Sequence, residues 1–166
     1  MLKRLLSLFL LISCICSFVS CGEDDTPKTE TFTSEELSIT LSDSFYRVED
    51  TSSNLLLTDG KMTVSFKRLS FVDAEAAGVS AAYTDVRFAE YFLENSGIDG
   101  SVYTYIDTPY YTYYTDGEDR LFCLASFYRT PYAYFVLIFA TSASREKTAR
   151  EEIFDALKTV EYDIVE

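Results

Sequence analysis

The chain has no histidine among its 166 residues, and that gap restricts the chemistry open to it. Without imidazole there is no Ser-His-Asp or Cys-His nucleophile, no histidine general base and no histidine-containing zinc site. Carboxylates are plentiful, 27 Asp and Glu against 14 Lys and Arg, so a hydrolytic or calcium site would have to be built from them. None has the required spacing. Asp116-Gly117-Glu118-Asp119 lacks the alternating Asp/Asn positions and the distant bidentate Glu of a calcium loop, and its makeup is that of a charged hairpin turn. Glycine-rich phosphate cradles are absent, and Lys67-Arg68 is too small a basic group to mark a nucleic-acid patch. The formal charge of -13 argues the same way, since binding polyanions depends on clustered Lys and Arg. No catalytic set, metal site, cofactor or nucleic-acid partner is expected.

Two residue types remain. Cys123 stands in Leu121-Phe122-Cys123-Leu124-Ala125, where a free cysteine behaves as a small buried hydrophobe, with no histidine to lower its pKa. Tyrosine is concentrated at Tyr103, Tyr105, Tyr110, Tyr111, Tyr113 and Tyr114. On an alternating strand Tyr111 and Tyr113 project one way, and Tyr110 and Tyr114 the other. The last four residues are the candidate ligand or partner surface, an aromatic platform for a sugar, peptide or protein. The alternative, favoured by strand preferences, is that they stabilise the sheet through cross-strand aromatic pairs.

The elements that must position these residues follow from periodicity. Leu37-Ser38-Ile39-Thr40-Leu41 alternates as a half-buried strand does. Asn54–Leu57 and Lys61–Leu69 flank Thr58-Asp59-Gly60 as a hairpin with an Asp-Gly turn. Ser80–Glu94 changes to helical spacing, with Ala82, Val86, Ala89 and Leu93 on one stripe, Phe92 beside them, and Gly97 suited to a left-handed cap. Four strands are expected over Ser101–Asp107, Tyr110–Thr115, Arg120–Arg129 and Tyr132–Thr141, with turns at Thr108-Pro109, 116–119 and Thr130-Pro131. A closing helix from about Ser144 to Val160 places Ala149, Ile153, Ala156, Leu157 and Val160 on one face, with Ser142 or Ser144 as its cap. The runs Phe122–Phe127 and Phe135–Phe139 are apolar at successive positions, so the middle of the sheet should be covered on both faces. The fold class is α+β, a mostly antiparallel sheet with flanking helices.

The amino terminus carries a different signal. Lys3 and Arg4 precede an apolar run from Leu5 to Val19, too short for an ordinary membrane-spanning helix and of the form of a secretory signal. Phe18-Val19-Ser20-Cys21-Gly22 places a small residue directly before a cysteine and resembles the bacterial lipoprotein signal, or lipobox. The resemblance implies that Cys21 is alkylated by diacylglycerol and becomes the new amino terminus. Phe18 departs from the leucine expected there. Leu11-Ile12-Ser13-Cys14 matches the residue types better but leaves a signal only about ten apolar residues long, so Cys21 is favoured. An ordinary cleaved signal is the further alternative. The expected divisions are 1–20 signal peptide, 21–36 acidic tether and 37–166 a single domain. Gly22–Glu36 has six acidic residues, one lysine and one large apolar side chain, a composition that does not bury enough to order itself.

An opening strand ending in Leu41-Ser42-Asp43-Ser44-Phe45, an early hairpin, a middle helix, a long meander and a closing helix with Phe154, Leu157 and Val160 resemble the Mog1/PsbP-like α/β sandwich. The resemblance covers Leu37 to about Glu161, with Ser42 where a proline is often found. It implies a domain that binds other proteins or helps assembly, and it assigns no catalytic residue. The sequence therefore leads to a lipoprotein on the extracytoplasmic side of a cell membrane or outer envelope. It would be anchored through the lipid on Cys21 and would bind a protein or envelope component without catalysis. Small-ligand capture by the tyrosine hairpin and a carboxylate-based hydrolase are the alternatives.

Overall fold

The computed structural model describes residues 28–50 and 52–162; the expected signal segment and Cys21 lie outside the described residues. Among the described residues ten strands, β1 to β10, form two sheets whose pairings are all antiparallel. The larger has seven strands in the order β3-β4-β5-β9-β8-β7-β6. These are β3 (Tyr46–Val48), β4 (Leu55–Thr58), β5 (Met62–Ser70), β6 (Tyr103–Tyr105), β7 (Thr108–Tyr114), β8 (Leu121–Arg129) and β9 (Ala133–Ser142). The smaller has the order β1-β2-β10, from β1 (Thr29–Ser34), β2 (Leu37–Ser42) and β10 (Glu161–Tyr162). The described residues also form three helices, α1 (Phe71–Ala76), α2 (Asp85–Ser96) and α3 (Glu146–Leu157), the last entered through a 3-10 turn over Ala143–Arg145.

The alternation of β8 and β9 builds a core on each face of the large sheet. On one face Phe122, Leu124, Tyr128, Phe135, Leu137 and Phe139 meet the small sheet and α3 through Phe32, Ile39, Ile153 and Leu157. On the other, Ala125, Phe127, Tyr134, Val136 and Ile138 meet the helix residues Ala74, Phe88, Ala89 and Leu93. The result is three layers with the seven-stranded sheet in the middle, as the continuous apolar runs require.

Several local signals place the elements. Asp59 accepts from the amides of Lys61 (2.8 Å) and Met62 (2.7 Å) while Gly60 takes φ 80°, closing the β4–β5 hairpin at its Asp-Gly turn. Thr84 caps α2 by accepting from the Arg87 amide at 3.2 Å, and Gly97 ends the helix in the left-handed region at φ 72°.

Four expectations are corrected. Thr29–Ser34 is a strand, not tether: β1 pairs with β2 along its whole length and turns Phe32 and Ser34 inward. Composition counts only what a segment buries by itself, whereas a strand added to β2 satisfies its backbone on a ready-made ladder. The buried stripe of α2 is Phe88, Ala89 and Leu93; Ala82 precedes the helix and Val86 is 39% exposed. Thr84 is the cap, so the helical phase starts later than the apolar spacing suggests. Thr108-Pro109 is not a turn but the start of β7; the β6–β7 turn is Ile106-Asp107, with φ 47° and 61°. Neither Ser142 nor Ser144 caps α3; their hydroxyls bond each other at 2.9 Å, and the helix begins after Arg145.

Candidate functional site

The tyrosine-rich hairpin forms the end of the large sheet, and its alternation sends the four candidate residues to opposite faces. Tyr111 is 2% exposed, packed on Phe127 at 5.5 Å between ring centroids, within the core beneath α2. Tyr113 lies on the same side, 5.9 Å from the Tyr111 ring, with its hydroxyl at the buried Cys123 thiol. Burial raises both phenols well above the usual range. Burial likewise pushes the Cys123 thiol up to about 11, so it is held as the neutral thiol. Tyr111 is therefore a core residue and Tyr113 a half-buried one packed against it, and the four tyrosines form no single platform.

The opposite face is different. Tyr110 pairs across the strands with Tyr103, ring centroids 5.8 Å apart, and meets the edge of Phe154 of α3 at 5.4 Å. Tyr105 packs on the other side of this group, 4.4 Å from Phe154. Further along β7, Tyr114 donates its hydroxyl to the Glu146 carboxylate, which Arg150 holds from one turn further along α3 at 2.8 Å. The Arg120 guanidinium lies 4.2 Å over the Tyr114 ring, and Arg150 lies 4.7 Å over Phe122. The Tyr114 hydroxyl, then Arg150, hold Glu146 below the usual carboxylate range, and the same hydrogen bond raises the Tyr114 phenol. Tyr103 remains 56% exposed and Tyr114 40% exposed. Tyr110 and Phe154 between them are half-buried.

This row is a rigid aromatic surface with fixed polar ends: hydroxyls at Tyr103 and Tyr114, and two arginines anchored by ring contacts or an ion pair. Such a surface offers large contact area at low entropic cost, with hydrogen-bonding tips. It assembles no nucleophile. The paired carboxylates elsewhere sit in ion pairs, Glu35 and Glu36 on Arg68 (2.6 and 3.0 Å), Glu90 and Glu94 on Arg87 (both 3.1 Å), Glu152 on Arg145 (3.2 Å). Asp116 to Asp119 form an exposed connection, and no metal-binding group of His, Cys, Asp and Glu occurs among the described residues. Of the candidate residues, Tyr110 and Tyr114 share the row. Sequence reasoning missed Phe154, Arg120, Arg150 and Glu146 as its other members; the i,i+4 pair Glu146 and Arg150 was the available signal, but nothing local links α3 to β7.

No family model and no curated protein matches the sequence. Solved structures do. The solution structure of cyanobacterial PsbP (CyanoP) from Synechocystis sp. PCC 6803 superposes with a TM-score of 0.51 at 14% identity, over 87% of this chain and 98% of that one. The fold is PsbP-like. A crystal structure from Bacteroides thetaiotaomicron VPI-5482 superposes with a TM-score of 0.56 at 14% identity, over 82% of this chain and 48% of that one, so the PsbP-like chain spans about half of that protein. At such identity the likeness bears on fold alone. The expected sandwich is present, and its functional surface has to be argued from this chain's own residues.

Proposed function

We propose that this PsbP-like domain binds a protein or envelope component through the Tyr103–Tyr110–Tyr114 row, without catalysis, and is held at a membrane by lipid on Cys21. The observation that carries the binding reading is the sorting of the tyrosines. Tyr111 is in the core and Tyr113 half-buried against it, whereas Tyr103 and Tyr114 keep 56% and 40% of their surface in water beside half-buried Tyr110 and Phe154. Exposed aromatics clustered on a rigid element with a nearby arginine are the composition of a binding hot spot.

The anchoring reading rests on the lipobox resemblance at Cys21. The start of β1 at Thr29 bears on it, because seven residues, 22–28, lie between Cys21 and that strand. Fully extended, that length reaches at most about 30 Å, so the domain would stay within about its own diameter of the bilayer. Two acyl chains, at about 0.8 kcal/mol per buried methylene, would make the attachment stable.

The test crosslinks intact membranes and compares the captured partner for the unaltered chain and for Tyr103→Ser with Tyr114→Ser. Loss of the partner with a melting temperature changed by only a few degrees supports the binding face. Retention of the same partner by the folded double variant refutes it. Separately, Cys21→Ala should move the chain from the detergent-rich fraction to the soluble one, and unchanged partitioning refutes the anchor.

A further inference from the structure

We propose that the outer edge of β7 over Thr112–Tyr114 receives an extended, lysine- or arginine-bearing segment of a partner protein as an added strand. The proposal rests on the binding reading above and gives it a mode and a partner chemistry.

The edge follows from hairpin geometry. β6 and β7 are joined by the two-residue turn Ile106-Asp107, and Tyr105 opposite Thr108 is the closing pair. In such a hairpin the closing pair exchanges both main-chain hydrogen bonds, and every second pair does the same. Thr108 and Tyr110 therefore direct N–H and C=O toward β6, and by the same alternation Thr112 and Tyr114 direct theirs to the same side. β6, however, ends at Tyr103, opposite Tyr110. The preceding residues 98–102 are not strand, and Ile98 and Val102 are half-buried against the core beneath α2. Among the described residues no main-chain partner meets Thr112 or Tyr114 on that side.

Sheet edges are usually blunted by proline, a bulge or an inward charge, because an open ladder templates another strand. β7 has a proline, but at Pro109, out of phase with this edge. The positions that exchange bonds with β8 are Tyr111 and Tyr113, opposite Ala125 and Cys123. Pro109 would be the next in that series, and the β7–β8 pairing stops at Tyr110. The proline thus limits the inner ladder and leaves the outer one open. Strand addition draws affinity from such main-chain groups and specificity from alternate side chains. Here exposed Tyr114 and Tyr103 stand at the two ends of the gap.

Charge selects the occupant. Exposed Asp107 lies at one end of β7 and exposed Asp116, Glu118 and Asp119 at the other, where they outnumber Arg120 over the Tyr114 ring, Arg150 being paired with Glu146, in a chain of formal charge -13. A basic strand complements these groups, whereas a second copy would bring the same acids against them.

The test uses the full chain in detergent micelles, a short synthetic peptide of alternating lysine and valine as probe, and a glutamate–valine peptide as control. Main-chain amide exchange is read residue by residue. The Thr112 and Tyr114 amides should slow by at least about tenfold with the basic peptide, because a bonded amide exchanges only through opening, and not with the acidic one. Thr112→Pro removes an outward N–H and should weaken binding at least about tenfold while the fold is retained, since edge positions tolerate proline. Absence of basic-peptide binding, binding without slowing of these two amides, or undiminished binding by folded Thr112→Pro would overturn the proposal. So would amides already protected without peptide in a species of doubled mass, which would make a second copy the occupant. If Thr112→Pro fails to fold, the exchange measurement on the unaltered chain decides alone. The crosslinking comparison of Tyr103→Ser with Tyr114→Ser judges the aromatic face separately.

Discussion

Replacing Phe32 with alanine distinguishes a strand from a tether more sharply than any other single change. Phe32 is 3% exposed, stands opposite Ile39, and fills the space between the small sheet and the large one. Truncating a buried phenylalanine costs about 3–5 kcal/mol, the spread reflecting how far the site can collapse. β1 is an edge strand with one neighbour, so its backbone can settle toward the cavity, and the lower end, about 3 kcal/mol, is expected. In a domain of this size each kcal/mol lowers the melting temperature by roughly 3–5 °C, so a fall of about 10–15 °C should appear in calorimetry. Thr31→Ala and Thr33→Ala, exposed on the same strand, should each stay within about 0.5 kcal/mol. A tether would make all three changes equally silent. A Phe32→Ala melt within about 2 °C of the unaltered chain would refute the packing of β1 and return residues 29–34 to a linker.

Three further outcomes follow from the packing and electrostatics. Phe88 stacks on Tyr134 at 4.3 Å and is fully buried, so Phe88→Ala should cost about 3–5 kcal/mol in urea unfolding, against under about 1 for Val86→Ala; the reverse order would refute the observed face of α2. Ser52, through its hydroxyl and amide, and the Ser53 hydroxyl hold the Asp50 carboxyl at about 2 rather than 3.8. A depressed folded pKa contributes stability that is present above about pH 4 and lost as pH falls through 2; an NMR titration should find the low midpoint, Ser53→Ala should raise it, and a midpoint near 3.8 in the unaltered chain would contradict the loop geometry. Buried Cys123, with its thiol raised to about 11, should react with a soluble disulfide reagent at pH 8 only on unfolding, and prompt labelling at Cys123 itself, located by peptide mapping of the native chain, would show that β8 is not sealed.

The division between what was legible in the chain and what was not follows the range of the interactions. Alternation in 37–41, 62–66 and the long runs of β8 and β9 identified strands and a sheet covered on both faces, because side-chain direction is a local consequence of a strand's period of two. Gly60 and Gly97 marked a turn and a helix end for an equally local reason, their positive φ. Three short strands, β1, β3 and β10, and the helix α1 carried too little periodicity of their own. They exist because a neighbour supplies the ladder or, for α1, because the Ser70 hydroxyl accepts from the Asp73 amide at 3.1 Å. The tyrosine cluster shows the same limit most plainly. The absence of histidine and the alternation of Tyr110 through Tyr114 followed from the sequence alone: a binding surface was favoured over catalysis, and two tyrosines were sent to each face. Which face would be covered was decided only in three dimensions. The core beneath α2 takes in Tyr111 and half-buries Tyr113, while α3, lying across the other face, brings Phe154, Glu146 and Arg150 to Tyr110 and Tyr114. Sequence sets the direction of a side chain through local backbone geometry, but its exposure depends on which distant element packs above it.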